Sequence, residues 1–195
     1  MKCASPRRKV AAVLAGGLVL GIGAATTMAA WTDSQQATAT FAAGVFTLVS
    51  SVDGSAWADH AQGNPAVLAL GTSGMSPGDS GFGYLDVKTS SASTLGGTVV
   101  LEAATAGISS DAGMVSALEF RAKALAAGST CDATALAGSA FVAVTSAPAI
   151  APQTIKAAGN DALRYCLEVR MVANADDAVQ GKSANMIWTV RGTST

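Results

Sequence analysis

Apolar and polar positions alternate along most of this chain in short runs. Leu163, Tyr165, Leu167, Val169 and Met171 occupy every second position, with Arg164, Cys166, Glu168 and Arg170 between them. Successive side chains of an extended strand point to opposite faces, so this period of two predicts a strand with one core face and one wetter face. Residues 82–88, 97–102, 141–144 and 186–190 read as further strands, and Val99 and Val100 supply the β-branched bulk that pleated surfaces favour. From Ala39 the pattern sets Phe41 and Val45 on one side and Phe46 and Leu48 on the other. Gly44 stands where the sides exchange, which predicts a bulge there. Trp57 is expected to open a short second strand, and the apolar run 65–70 is too short for a helix and bounded by breakers.

Turn chemistry separates these runs. Asp53-Gly54 supplies a positive-φ position, and Ser76-Pro77-Gly78-Asp79 has the proline and glycine placement of a type II turn. Residues 114–125 satisfy two templates. Leu118, Phe120 and Ala122 alternate with Glu119, Arg121 and Lys123 as in a strand, while Met114, Leu118 and Leu125 fit a helical stripe that Asp111 could cap. The strand is preferred because charges fall on every second position. Thr130 to Gly138 reads as a loop carrying Cys131, with room for a helical turn. About nine short strands separated by Gly, Pro and Asp turns predict an all-β, antiparallel β-sandwich.

The amino terminus departs from this pattern. Lys2, Arg7, Arg8 and Lys9 precede an apolar run from Val10 to Ala25, with small residues at Thr27, Ala29 and Ala30. The run is shorter than the ~20 residues of a membrane-spanning helix and has the flanks of a helical secretory signal. Cleavage is expected after Ala29, with Ala30 as the alternative, giving a signal peptide over 1–29 and one secreted domain over 30–195. Arg7-Arg8 lacks the following residues of a twin-arginine signal, so ordinary export is expected, and Cys3 would leave with the signal. The membrane is then touched only by the signal before cleavage.

Removing that segment changes the charge. Four of the 12 basic residues leave and none of the 13 acidic ones, so about −5 remains. No basic stripe suited to nucleic acid survives. Cys131 and Cys166 do survive, and an even pair in an exported domain predicts a disulfide. It would join a loop to the outer, wetter face of the 163–171 strand, and closing a loop of this length is worth roughly 3–4 kcal/mol.

Candidate chemistry is sparse. His60 is the single histidine, and no His-Glu-x-x-His or Gly-x-Ser-x-Gly motif accompanies it, so no catalytic residue, metal ligand or cofactor is assigned. Asp59 beside His60, and Asp176-Asp177, read as solvated loop carboxylates, without the spacing of a calcium loop. Trp57 and Trp188 fit core positions better than a sugar-stacking platform.

Three patches together resemble the TasA/camelysin family of secreted bacterial proteins. They are Ala29-Ala30-Trp31-Thr32-Asp33 followed by Thr40-Phe41-Ala42-Ala43-Gly44, then Met75-Ser76-Pro77-Gly78-Asp79, and then Val179-Gln180-Gly181-Lys182-Ser183. They bracket nearly all of the secreted part, while residues 90–160 and the cysteine pair lie outside the shared pattern. The resemblance implies a jelly-roll-like sandwich and export through a SipW-type signal peptidase. It further implies a secreted structural protein of the cell surface or biofilm matrix, acting by self-association and not by catalysis. Residues 30–38, with Trp31, Thr32 and Asp33 at their head, are the expected assembly arm. The alternative is a monomeric adhesive or ligand-binding module at the cell surface, and a camelysin-like metallopeptidase stands third.

Overall fold

The computed structural model describes Val10, residues 34–61 and residues 63–195. The expected signal helix, the cut at Ala29 or Ala30, and Trp31, Thr32 and Asp33 lie outside the described residues. The chain divides into two units, Met1–Ala42 and Ala43–Thr195. All ten strands of the described residues fall in the second. Among the described residues, no helix is long and apolar enough to cross a membrane.

The strands are β1 (Leu48–Ser51), β2 (Ser80–Thr89), β3 (Gly97–Leu101), β4 (Thr105–Ala106), β5 (Leu118–Ala126), β6 (Val142–Ala143), β7 (Gln153–Ile155), β8 (Leu163–Met171), β9 (Met186–Ile187) and β10 (Val190–Ser194). One short helix, α1 (Ala112–Ser116), precedes β5. A five-stranded sheet runs β1-β2-β8-β5-β6 and a three-stranded sheet runs β10-β3-β7, with β4 and β9 as a separate pair. Every pairing is antiparallel. The chain crosses between the two larger sheets repeatedly, as in a jelly-roll-like sandwich. Val87, Phe120, Tyr165 and Leu167 from the larger sheet share one core with Val99, Leu101 and Ile155 from the smaller. Tyr165 links the layers, donating its hydroxyl to the Val99 carbonyl at 3.3 Å.

The predicted strands at 82–88, 97–102 and 163–171 form with small shifts at their ends. The ambiguous segment contains both elements. Asp111 caps α1 by accepting from the Met114 amide at 2.9 Å, and the alternating residues from Leu118 onward enter β5. The predicted last strand breaks at Trp188, because β9 pairs with β4 while β10 pairs with β3. Trp57 opens no strand; its neighbour Ala58 makes one bridge to Ser50.

No bulge forms at Gly44, since β1 begins only at Leu48. The preceding backbone is bound by a polar loop instead. Val45 N–H donates to Thr94 Oγ1 at 2.8 Å, Thr47 N–H donates to Ser93 Oγ at 3.0 Å, and the Thr94 and Leu95 amides return to the Val45 carbonyl. A Cβ on Gly44 would lie 2.7 Å from the Leu95 side chain, so the glycine makes room for that contact. Phe46 then packs toward Gly97 and Gly192 and joins the core, whereas Phe41 is 92% exposed.

Candidate functional site

The two faces of the five-stranded sheet carry different chemistry. On the outer face the register sets acid against base: Asp86 opposite Arg164, Glu168 opposite Arg121 and Glu119 opposite Arg170. Arg164 grips both oxygens of Asp86, from Nε and Nη2, at 2.7 Å each, and its Nη1 donates to the Ser129 carbonyl. Arg121 Nε donates to Glu168 at 2.6 Å and Arg170 Nη2 to Glu119 at 2.8 Å. The guanidinium of Arg164 also lies 3.6 Å from the Tyr84 ring centroid, and Phe141 receives both Arg121 and Arg170. An isolated charge would be costly where Arg164 and Glu168 lie buried, and each has an opposite partner there, whereas the Arg170–Glu119 pair is partly exposed. The bond to Asp86 raises the Arg164 pKa against the opposing effect of burial.

This face was expected to be the wetter one, and that expectation is corrected. Arg164, Cys166 and Glu168 are buried, Cys166 completely. Residues 127–141 cover it: Leu136 is fully buried, and its carbonyl accepts from Arg121. The Cys131–Cys166 disulfide pins this cover, with Cα atoms 5.4 Å apart. The bond joins a loop to a strand as predicted, but inside a second, polar core. It indicates an oxidising, non-cytoplasmic environment.

The inner face borders a cavity of about 1360 Å³. Three strands face five, so part of the larger sheet has no sheet above it. Leu85, Val87, Leu167 and Val169 form its floor, with Met186 and Trp188 on one side and residues 65–75 on another. Gly81 and Gly83 of β2 are buried, and Leu70 from the 65–75 segment sits over them. Trp188 packs on Phe120 with ring centroids 6.0 Å apart, and its buried Nε1 has no hydrogen-bond partner among the described residues.

The polar candidates are scattered by comparison. His60 Nδ1 meets Ser50 Oγ at 2.8 Å, and both residues line the cavity together with Asp59, Asp176 and Asp177. Asp176 is occupied in accepting from the Ala178 amide at 2.7 Å. Among the described residues, no group of three or more His, Cys, Asp or Glu side chains converges as a metal site would require. Trp57 lies under the Lys88 ammonium at 4.1 Å and does not line the cavity, so the two tryptophans form no common platform. Asp53 stays ionised far below the usual carboxylate range, chiefly because the Ser55 and Ala56 amides donate to it, and the Ser51 hydroxyl adds a third bond.

Sequence reasoning missed the two features that dominate the geometry. The ion-pair row shows in the sequence as alternating charges, whereas the burial of Arg164 and Glu168 does not. The cavity had no signal of its own; the alternate glycines Gly81 and Gly83 mark only the close approach of Leu70 to β2. No protein-family model matches this chain, and no curated protein matches it.

Proposed function

We propose that the chain is a secreted, TasA/camelysin-like structural protein of the cell surface or biofilm matrix, released by a SipW-type signal peptidase and acting by self-assembly without catalysis. The observation that carries the reading is residues 34–42. They lie in no strand, every one is exposed, and Phe41 offers a large apolar ring at 92% exposure. An exposed segment outside any strand, within another chain's reach, can add to a sheet edge once extended, where backbone pairing supplies affinity and side-chain pockets supply register. The outer strands β7 and β10 of the smaller sheet offer such edges. The three family-like patches at 29–44, 75–79 and 179–183 support the same reading from sequence.

Deleting residues 30–36 from the secreted protein tests the arm. Higher assemblies should disappear while circular dichroism and thermal midpoint stay at wild-type values; assembly that persists unchanged rejects the arm. The second reading, a monomeric ligand-binding module, draws on the cavity of about 1360 Å³ and its apolar floor.

A further inference from the structure

Residues 127–141 join β5 to β6 and lie on the outer face of the larger sheet without a ladder to hold them. Among the described residues, their backbone–backbone hydrogen bonds stay within the segment, apart from the Ser129 amide donating to the Ala126 carbonyl at the end of β5. Their ties to the sheet run through side chains. Arg164 donates to the Ser129 carbonyl, Arg121 donates to the Leu136 carbonyl at 3.3 Å, and Phe141 receives Arg121 and Arg170 on its ring. The Cys131–Cys166 bond is the covalent tie. Segments with few protected backbone bonds open at lower free energy than the sheets they rest on. The disulfide therefore holds down a unit that little else in the fold secures.

The two sulfurs are not equally reachable. Cys166 is completely buried in β8, whereas Cys131 is half-buried and lines a recess of about 430 Å³ that Cys166 does not line. The recess lies between the turn at Val52 and the cover at Gly128 and Thr130, with Tyr84 and Arg164 also on its wall. Asp86 already holds Arg164 with both oxygens, and the turn closes over that pair, since a Cβ on Gly54 would lie 3.6 Å from Asp86 Oδ2. Arg164 is thus occupied, and the disulfide is the reducible group on the wall.

We infer that Cys131 is a thiol–disulfide exchange site, reached through this recess by a dithiol, and that its reduction unhooks residues 127–141 from the outer face while the sandwich stays folded. A thiolate of the dithiol attacks Cys131 Sγ, the S–S bond breaks, and Cys166 Sγ leaves with the electron pair and takes up a proton. The second thiol of the reagent gives up its proton and closes on the sulfur bound to Cys131. Cys131 is released as a thiol and the reagent as its own disulfide, two electrons having passed to the protein. Attack at Cys166 would need the reagent inside the dry face, so access decides which sulfur is struck. The core of Val87, Val99, Phe120 and Leu167 lies on the other face and keeps its contacts. Beneath the lifted cover, water solvates the Asp86–Arg164 and Arg121–Glu168 pairs, so opening leaves no charge buried alone.

The test treats the folded secreted protein with glutathione, a monothiol whose mixed disulfide is trapped by early acid quenching and mapped by mass spectrometry. The adduct should sit on Cys131 in about tenfold excess over Cys166. An even split or an excess on Cys166 overturns the site. So does the absence of adduct from folded protein under conditions where urea-unfolded protein reacts. Thr130→Trp, a change at an exposed position that narrows the recess, should slow exchange about tenfold, and an unchanged rate overturns the route. After reduction by dithiothreitol, cleavage by a broad-specificity protease should rise about tenfold within residues 127–141 and stay unchanged elsewhere, with circular dichroism preserved. Cleavage that rises throughout the chain, or nowhere, overturns the release of the cover.

Discussion

Asp86 and Arg164 are 1% and 7% exposed, so each depends on the other to remain charged inside the protein. Their neighbour Cys166 anchors the cover that keeps them dry. Replacing Cys131 by Ser and Cys166 by Ala should lower the free energy of unfolding by about 3–4 kcal/mol, read from urea midpoints without reducing agent. Alanine is chosen at position 166 because a serine hydroxyl would be buried there without an assured partner. A second residue-scale effect belongs to Tyr165, whose pKa burial raises from 10.0 to about 12. Folding favours the neutral phenol, so this stabilisation is complete below pH 10 and is lost as pH climbs from 10 to about 12. The loss is on the order of 3 kcal/mol, and Tyr165→Phe should flatten that part of an alkaline unfolding profile. A profile as steep in the variant would place the alkaline sensitivity elsewhere.

At the scale of elements, local pattern was a sound guide wherever one face meets a core. The alternation over 163–171 and 82–88 made β8 and β2 legible, and Pro77-Gly78 made the turn before β2 legible, with Gly78 at φ +92°. Residues 114–125 looked double because they are double: a capped helical turn followed by a strand. One misreading has a cause that local pattern does not carry. At Gly44 the period of two is present, but the hydrogen-bond partners of the backbone that follows are the distant residues Ser93 and Thr94. Periodicity reports which way side chains point and is silent on whether a backbone is paired.

For the whole molecule, the all-β sandwich follows from many short strands with turn signals between them. Its unequal layers, five strands against three, do not. The imbalance leaves room for the cavity, which is not encoded in any one segment. Much the same holds for the outer face. The charges of Arg121, Arg164, Glu168 and Arg170 were legible, but the burial of Arg164 and Glu168 depends on residues 127–141, held by one disulfide. The chemistry of a reacting site was not legible in the chain, and the geometry offers a lone Ser50–His60 contact in its place.

Sedimentation velocity of the protein beginning at Ala30 tests the proposed self-assembly. Run over a hundredfold range of concentration, on the mass-action argument, it should show a monomer giving way to progressively larger species. A single monomer boundary at every concentration would rule self-assembly out and favour a solitary binding module.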